Sequence, residues 1–230
     1  MEQRHFLVES PLLSRLIAEM RDKKLQRDSH RFRSNSREIG YLLAYEIEKN
    51  ERFDQERAII ETVNGAAEHY FRTEEPLIVN ILRAADPLVQ GTLEVFRNSP
   101  VAFLDMKRKE GTYDLAGKKI EVVLQYASVP LDNLEGKTLL VPDIMLATGS
   151  SQIGSYEYLA KRYGKPARTI ISSIISTQQG IENVLEMIPN SKVYVAAIDS
   201  TLDERAYIVP GLGDAGDLCY NGGNPLLKLK

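Results

Sequence analysis

Residues 139–151, with the sequence LLVPDIMLATGSS, join an apolar run to a short polar loop. The apolar part is typical of a buried strand, and residues 151–163 after it have the apolar spacing of a helix. A single carboxylate, Asp143, stands where the strand is expected to end. The loop that leads into the helix contains only small or hydroxyl-bearing side chains: Ala147, Thr148, Gly149, Ser150 and Ser151. These residues therefore predict a strand–loop–helix unit of an α/β fold.

The rest of the chain repeats this alternation. Apolar runs rich in Val and Ile, including the one just quoted, predict strands at residues 76–82, 101–106, 137–141, 168–175 and 192–198. Helical stretches are expected between several of them, at about 86–98, 151–163 and 178–188. The first third of the chain is predicted to be helical, because apolar residues recur every three or four positions in segments 12–23 and 36–50. The order of these elements predicts a mostly parallel sheet flanked by helices.

Residues 107–136 interrupt the alternation. They are rich in charges and glycines and contain one strand-like run, IEVVLQYA, at residues 120–127. We interpret this segment as a projecting β-arm between two core strands. No repeat, low-complexity tract or linker divides the sequence, so residues 1–230 are expected to form a single domain.

Composition excludes several classes of protein. The 230 residues are 43% hydrophobic and 27% charged, which is ordinary for a globular domain, and the net charge of −3 argues against a general nucleic-acid surface. The single cysteine, Cys219, cannot form an intramolecular disulfide, and His5, His30 and His69 lack metal-ligand spacing. No signal segment or membrane span is recognisable, so a cytoplasmic protein is expected.

The loop at residues 147–151 has the properties of an anion site. The first amides of the following helix lack intrahelical acceptors, and small side chains would let a phosphate reach them. A carboxylate such as Asp143 cannot serve the phosphate, but it can accept hydrogen bonds from sugar hydroxyls or hold a hydrated Mg²⁺. The stretch thus indicates a ribose-phosphate site. The alternative is that Ser150 or Ser151 merely caps the helix and that Asp143 is a surface turn residue.

A second glycine-rich segment, GLGDAG at residues 211–216, matches the letters of a dinucleotide-binding motif. Only 14 residues follow it in the sequence, which is too few for the rest of a βαβ unit. Its glycines and acids, with Pro210 before them, instead predict an exposed, tightly turned loop. Such a loop can present backbone N–H and C=O groups to a flat ligand.

Together these segments resemble the uracil phosphoribosyltransferase family of type I phosphoribosyltransferases. The likeness covers nearly the whole chain, and the tail segment AYIVPGLGDAGD at residues 206–217 is its most specific part. Three further matches are FRSNSREIGYLLAYE (32–46) to the N-terminal helix, ILRA (81–84) to the pyrophosphate loop and DIMLATGSS (143–151) to the ribose-phosphate loop. The resemblance implies a parallel sheet flanked by helices, with the arm at 107–136 and a C-terminal hood at 199–230 that binds the base.

The resemblance also implies an activity and its site. Uracil and phosphoribosyl pyrophosphate, which carries Mg²⁺, would give UMP and pyrophosphate, in a homodimer or larger homo-oligomer that binds neither membrane nor nucleic acid. Asp143, Arg83 and Asp214 would be catalytic, and no residue would hold a metal by itself. The implied substrate-binding residues are Arg83 and Arg108 for the pyrophosphate, Asp143, Ala147, Thr148, Gly149, Ser150 and Ser151 for the ribose phosphate, and Tyr207, Ile208, Gly213, Asp214 and Ala215 for the base and sugar.

Four positions depart from the family pattern. Ala85 replaces a glycine after LRA and is followed by the acid Asp86, and these two changes predict a weaker pyrophosphate site. In the ribose-phosphate loop, Ile144 replaces a proline and Ser150 replaces a second glycine. A competing hypothesis is a non-catalytic relative that binds nucleotide or RNA, supported by seven Lys or Arg residues against two Asp in segment 21–37. Such a charged segment is more often a solvated helix face or a subunit contact.

Overall fold

The computed structural model of this chain describes residues 3–109 and 120–220, and these residues form one seven-stranded sheet flanked by helices. The sheet has the strand order β1-β9-β8-β7-β4-β5-β6, and every neighbouring pair is parallel except β5 and β6. The seven strands are β1 (His5–Leu7), β4 (Leu77–Leu82), β5 (Val101–Arg108), β6 (Val122–Ser128), β7 (Thr138–Leu146), β8 (Arg168–Thr177) and β9 (Ser191–Asp199). Four further strands form two separate antiparallel pairs in the described residues: β2 (Gln55–Thr62) with β3 (Gly65–Arg72), and β10 (Thr201–Leu202) with β11 (Ile208–Val209).

Six helices accompany the strands in the described ranges: α1 (Pro11–Arg21), α2 (Ser29–Asn50), α3 (Asp86–Val95), α4 (Ser150–Tyr163), α5 (Gln178–Met187) and α6 (Ala215–Tyr220). Local sequence explains where the first two begin. The side chain of Ser10 accepts a hydrogen bond from the amide of Leu13, and that of Asp28 accepts one from the amide of Arg31. None of the described helices is both long enough and apolar enough to cross a membrane.

The central strands are buried along almost their whole length. In β8, every residue after Arg168 is buried, as expected for a parallel strand covered on its faces by helices. The sheet and its helices form one large hydrophobic core, and a second cluster joins α1 and the start of α2 to the C-terminal segment. Ile208, Leu212 and Cys219 belong to this second cluster. The tail is therefore packed against the N-terminal helices.

Helices α2 and α3 approach each other so closely that their backbones touch. A Cβ built on Gly91 would lie 1.8 Å from the carbonyl oxygen of Arg37, and one built on Gly40 would lie 2.2 Å from that of Leu88. No larger residue fits at either position without separating the helices. This contact fixes α3, and with it the loop between β4 and α3.

The five strands and three helices predicted from the alternating pattern are confirmed. One boundary differs in a way that matters for function. Strand β7 continues to Leu146 rather than ending at residue 141, so Asp143 lies inside the strand and not in the loop after it. Pairing with β8 extends the strand, because Asp143 and Met145 are still in register with Ser173 and Ile175.

The prediction that the first third of the chain is helical is wrong for residues 55–72. These residues form the antiparallel hairpin β2–β3, which does not pair with the main sheet. The sequence does carry a hairpin signal, the dipeptide Asn64-Gly65 at the turn, where Gly65 has a φ of 141°. Strand β1 was also missed, because three residues are too few to show a period.

Part of the segment expected to form an arm lies at the edge of the sheet. Strand β6, which covers most of the strand-like run at 120–127, pairs antiparallel with β5. Residues 110–119 of this segment lie outside the described residues, as do residues 221–230 of the expected hood. The division into an arm and a hood within a single domain remains an interpretation.

Candidate active site

A cleft of about 1220 Å³ opens beyond the carboxyl ends of the central strands. This is the edge of an open α/β sheet at which ligands bind. Six of the residues singled out from the sequence line it: Arg83, Asp143, Ser151, Tyr207, Asp214 and Ala215. The strand order brings together β4, β7 and the tail segment, which are distant in sequence.

The buried side chain of Thr177 and the half-buried side chain of Asn183 hold the loop between β7 and α4 in place. The Thr177 hydroxyl donates to the carbonyl oxygen of Ala147 at 2.7 Å, and the amide of Asn183 donates to that of Thr148 at 3.0 Å. Ala147 and Thr148 are themselves only 5% and 4% exposed. The loop therefore has a defined shape before any ligand binds.

Gly149 makes the turn into α4. Its φ of 79° lies in the left-handed region, and a Cβ there would come within 2.9 Å of Val184 and 3.2 Å of the carbonyl oxygen of Gly180. No side chain caps the helix. The alternative that Ser150 or Ser151 caps α4 is thus wrong: Gly149 is the N-cap, and both serines lie within the first turn, where amides can meet an anion.

Ser150, which departs from the family pattern, uses its hydroxyl within the protein. Its Oγ lies 2.8 Å from the hydroxyl of Thr148 and accepts a hydrogen bond of 3.1 Å from the amide of Ile120. The side chain therefore connects the loop to Ile120, two residues before β6. Ser151, by contrast, lines the cleft.

Asp143 is half-buried at the side of the cleft, and both oxygens of its carboxylate accept hydrogen bonds. The amide of Ile144 donates to Oδ1 and the side-chain amide of Gln152 donates to Oδ2, both at 2.8 Å. Asp143 is therefore held in one orientation next to the loop rather than being a mobile surface residue.

The loop after β4 presents Arg83 to the cleft. Arg83 is exposed, its guanidinium lies 6.0 Å from the centre of the Tyr220 ring, and the peptide bond before it is cis. Ala85 is fully buried with φ −68° and ψ −21°, an ordinary helical conformation. The Cβ of Ala85 thus causes no backbone strain, which removes one physical reason for the expected weakening.

Asp86 is engaged inside the protein rather than directed only at an anion. It accepts hydrogen bonds from the Asn80 side chain at 2.8 Å and from the Tyr220 hydroxyl at 3.3 Å. Burial and the charge of Asp86 raise the pKa of Tyr220 to about 12, so its hydroxyl stays protonated and donates. The acid therefore links the loop after β4 to helix α6.

An ion pair anchors the tail loop to the N-terminal part of the chain. Arg21 donates two hydrogen bonds to Asp199, at 2.7 and 2.8 Å, and a third to the carbonyl oxygen of Gly211 at 3.1 Å. Asp199 also accepts a bond of 2.8 Å from the amide of Gly211. Bidentate contact of this kind fixes direction as well as distance. Because Gly211, Leu212 and Ala215 are buried, the prediction of an exposed loop is wrong for these three residues, and it is confirmed for Gly213 and Asp214.

Beyond this anchor, the tail residues differ in what they can offer a ligand. Asp214 is exposed and accepts a 3.0 Å bond from the amide of Asp217, while the Tyr207 hydroxyl lies 3.5 Å away from it. Gly213 is exposed without lining the cleft, and Ile208 is 6% exposed with its side chain in the second core cluster. Ile208 could therefore contact a ligand only through its backbone.

Cys219 in the tail is unsuited to act as a nucleophile, and Arg108 in the arm is described only through its backbone. Cys219 is fully buried, and burial raises its pKa to about 12, so the thiol stays protonated and is a poor nucleophile. Arg108 is the last residue of β5, but its side chain lies outside the described part of the structure.

Several cleft residues were not found by sequence reasoning. They are Asp105, Met106 and Lys107 at the end of β5, Gln125 in β6, and Glu204 and Arg205 before β11. The first three follow the rule that the carboxyl ends of parallel strands meet at one edge, which could have been applied to the strand at 101–106. Nothing in the local sequence marks the other three.

The carboxylates of the cleft allow a test for magnesium. Asp105, Asp143, Glu204 and Asp214 line it, yet the described residues contain no group of three or more acids, histidines or cysteines placed to hold a metal. Mg²⁺ keeps several waters and commonly binds one or two carboxylates plus substrate phosphates. The residues present thus fit an ion shared with a phosphorylated substrate, not a metal bound by protein ligands alone.

The basic segment 21–37 does not form a free cationic surface. Arg21 pairs with Asp199, Arg31 with Glu19 and Asp28, and Arg37 with Glu94. Arg33 donates to the carbonyl oxygen of Cys219. The majority of its seven cations therefore serve contacts within the protein, which removes most of the support for an RNA-binding face.

Comparison with known proteins agrees with this geometry. Residues 7–222 match the family model for uracil phosphoribosyltransferase. The uracil phosphoribosyltransferase of Porphyromonas gingivalis is 38% identical over 96% of this chain and 98% of its own, and that of Pyrococcus furiosus is 33% identical over 92% and 87%. The solved structure of the AQ2163 protein from Aquifex aeolicus covers 94% of this chain and 97% of its own, with a TM-score of 0.81 and 28% identity. This chain belongs to the uracil phosphoribosyltransferase family.

Proposed function

We propose that the protein transfers the 5-phosphoribosyl group of phosphoribosyl pyrophosphate to uracil, giving UMP and pyrophosphate in pyrimidine salvage. The observation that carries this proposal is that one cleft is lined by the loop after β4, by Asp143, Met145 and Ser151 of the segment 143–151, and by residues of the tail segment. These are the segments by which the sequence resembles the family, and their convergence supports a site for a sugar phosphate beside a base. Relatives named uracil phosphoribosyltransferase align with most of this chain.

In this proposal the ribose phosphate occupies the cleft next to α4. The amides of α4 after Ser150 and the hydroxyl of Ser151 bind the 5-phosphate, because the N-cap Gly149 has no capping side chain. The amide of Ser150 itself donates to the Thr148 hydroxyl at 3.3 Å. Asp143 accepts hydrogen bonds from the ribose hydroxyls. Ala147 and Thr148 act by holding the loop rather than through their side chains, since both side chains are buried. Binding in a preformed loop fixes the sugar before reaction.

Bond breaking at the ribose C1 places charge on the departing pyrophosphate. Arg83 and Arg108 neutralise this charge, and Arg83 is exposed at the cleft for that role. When bound, Mg²⁺ supplies further neutralisation of the pyrophosphate oxygens. The ribose develops oxocarbenium-like character, as in glycoside cleavage, and Asp143 and Asp214 are the carboxylates that face its positive charge.

The base is held by the tail segment. Backbone N–H and C=O groups at Ile208 and residues 213–215 match the alternating edge of uracil, and Tyr207 lies beside the ribose. The buried Ile208 side chain leaves only its backbone for this contact. Holding N1 of uracil in line with C1 contributes more than base catalysis, because uracil is a weak nucleophile.

We extend the proposal to a homodimer or larger homo-oligomer in the cytoplasm. The hairpin β2–β3 has exposed apolar side chains on a two-stranded sheet that pairs with no other strand in the described residues: Ile59, Ile60, Val63, Tyr70 and Phe71. The strand register places Ile59 and Tyr70 on one face of the hairpin and Ile60 and Phe71 on the other, and a monomer rarely leaves large apolar side chains in water on both faces of a hairpin. Light scattering on the protein and on an Ile59→Ser, Phe71→Ser variant tests it, because a smaller mass is expected for the variant.

The test of the reaction is pyrophosphate release with each base at equal concentration. Cytosine presents an amino donor where uracil presents O4, and unpaired buried groups cost about 1–3 kcal/mol each. Two mismatches give an expected preference for uracil of about a hundredfold, and hypoxanthine and guanine are expected to fail on size as well. Equal rates with uracil and cytosine, or faster release with a purine, would contradict the assignment of the base.

A further inference from the structure

The orientation of Asp143 depends on a side chain that no sequence motif marks. Gln152 is the third residue of α4 and is only 2% exposed. Its Nε2 donates to Oδ2 of Asp143 at 2.8 Å and lies 3.4 Å from the carbonyl oxygen of Met145. The amide thus bridges the helix and two residues of β7. Burying an amide is costly unless its hydrogen bonds are made, so an apolar residue would be the simpler choice at this position.

The second donor to Asp143 exists because of a departure from the family pattern. Position 144 is a proline in that pattern, and proline has no N–H group. Ile144 has one, and it donates to Oδ1 of Asp143 at 2.8 Å. Each oxygen of the carboxylate therefore has its own donor from this protein. Because each oxygen accepts its own hydrogen bond, the plane of the carboxylate is fixed.

We propose that Gln152 is a positioning residue that, together with the Ile144 amide, holds the Asp143 carboxylate in the orientation that receives the ribose hydroxyls. The proposal rests on the function proposed above and assigns Gln152 no contact with substrate, since it does not line the cleft. Hydrogen bonds from a sugar to a carboxylate require the acceptor in a set direction, and a carboxylate free to rotate must be ordered at each binding event.

The proposed contact of Asp143 with the ribose determines which kinetic constants should change when the hydrogen bond from Gln152 is lost. Loss of the Gln152 bond is expected to act on the sugar pyrophosphate and on the transition state, and not on the base, which is held by the tail segment. The expected signature is a lower kcat and a higher KM for phosphoribosyl pyrophosphate, with the KM for uracil unchanged within twofold. A general loss of structure would instead change both KM values.

The experiment uses Gln152→Met, which keeps the length and volume of the side chain and removes its donor. We expect kcat/KM for phosphoribosyl pyrophosphate to fall about tenfold, which corresponds to about 1.4 kcal/mol. The matched control is Gln178→Met, because Gln178 is an exposed residue of α5 whose side-chain amide donates to Glu182 at 2.9 Å. The control is expected to keep wild-type kinetics.

A double-mutant cycle shows whether Gln152 acts through Asp143. In an Asp143→Ala background, Gln152→Met should cost less than twofold, because the group that it orients is absent. Where turnover is too slow to measure, isothermal titration calorimetry with UMP gives dissociation constants for the four proteins of the cycle, and these can be compared in the same way. A full tenfold loss in both backgrounds would mean that Gln152 acts elsewhere and would overturn the proposal.

A second variant covers failure of the first to fold. Ile144→Pro removes the other donor and restores the family residue, and we expect a three- to fivefold fall with the same split between the two KM values. Wild-type kinetics in Gln152→Met, or in Ile144→Pro where the first variant does not fold, would overturn the positioning role while leaving the transferase function in place. If neither the wild-type protein nor the Gln178→Met control released pyrophosphate in the presence of uracil, both the positioning role and the transferase function would be overturned.

Discussion

The two ends of the parallel sheet treat charge in opposite ways. At the carboxyl end, Arg83 and Asp214 are exposed in the cleft. At the amino end, the Glu51 side chain is 4% exposed and is surrounded by Arg168, Lys192 and the Tyr194 hydroxyl, which donates to it at 2.7 Å. Charges at one end are thus neutralised by the protein, and those at the other are available to a ligand.

The amino end also shows what a purely structural use of charge looks like. Arg168 lies 3.4 Å from Glu74 and 3.6 Å from Glu51, and its guanidinium sits 4.6 Å from the centre of the Phe53 ring. Burial and the hydrogen bond to Glu51 raise the pKa of Tyr194, so its hydroxyl remains a donor. Charged residues whose hydrogen-bonding groups have partners within the protein contribute to stability, whereas exposed charges in a cleft contribute to ligand binding.

The largest expected effect tests the amino end. Glu51→Gln should lower the free energy of unfolding by about 2–3 kcal/mol, less than for a fully buried pair because Arg168 and Lys192 are about a quarter exposed. Denaturant unfolding measures it, with the exposed Glu157→Gln as control. The kcat/KM of the folded variant is expected to stay within twofold of wild type, and a large kinetic defect would mean that the two ends are coupled.

The opposite pattern is expected at the carboxyl end. Arg83→Gln should lower kcat/KM for phosphoribosyl pyrophosphate about a hundredfold, or about 2.7 kcal/mol, because a charged partner of the leaving group is lost. Its stability should change by less than about 0.5 kcal/mol, since the side chain is exposed. Steady-state kinetics beside an Arg97→Gln control would reveal the contrast, and unchanged turnover would remove Arg83 from the site.

A smaller kinetic effect is expected from Asp143→Asn, which keeps the shape of the side chain and removes its charge. We predict a loss of at least about tenfold in kcat/KM, or about 1.4 kcal/mol. Rates measured at limiting and at saturating sugar pyrophosphate separate binding from turnover. If the kinetics of Asp143→Asn equalled those of the wild type under both conditions, the charge of Asp143 would not contribute to binding or turnover, although the residue lies at the carboxyl end.

The smallest expected effect concerns the loop after β4. Because Ala85 is buried in an ordinary helical conformation, Ala85→Gly should lower the free energy of unfolding by about 0.4–1 kcal/mol through the entropy of the unfolded chain. Affinity for phosphoribosyl pyrophosphate should change by less than about twofold, since no strain is relieved. Calorimetric binding decides the matter: clearly tighter binding would support the sequence-based expectation that alanine weakens this loop.

The period of the apolar residues and the composition of the loops were sufficient to predict five of the seven strands of the main sheet and the edge of the sheet at which the cleft lies. The run around residue 139 and the loop up to Ser151 could be interpreted locally, because a buried parallel strand and an uncapped helix start each have a short sequence signature. The hairpin at 55–72 was missed because its exposed faces lack a clean apolar alternation. Its signal was confined to one turn dipeptide, Asn64-Gly65.

The contacts that orient the site could not be predicted in the same way. Gln152 is one amide in an ordinary helical stretch, and its bond to Asp143 depends on the register of α4 against β7. The pairing of Arg21 with Asp199 joins residues 178 positions apart. Local patterns carry no information about such partners, since they are chosen by packing after the elements have formed.

The Arg21–Asp199 pair sets a limit on the order in which the molecule can form. During synthesis, α1 leaves the ribosome long before the segment that it must fasten, and closing so long a loop has a high entropic cost until the sheet between them is assembled. We therefore expect the part of the cleft formed by the tail segment to be the last to acquire protection from hydrogen exchange during refolding. A chain stalled before residue 199 would contain the loop between β7 and α4 but not the tail segment that completes the cleft.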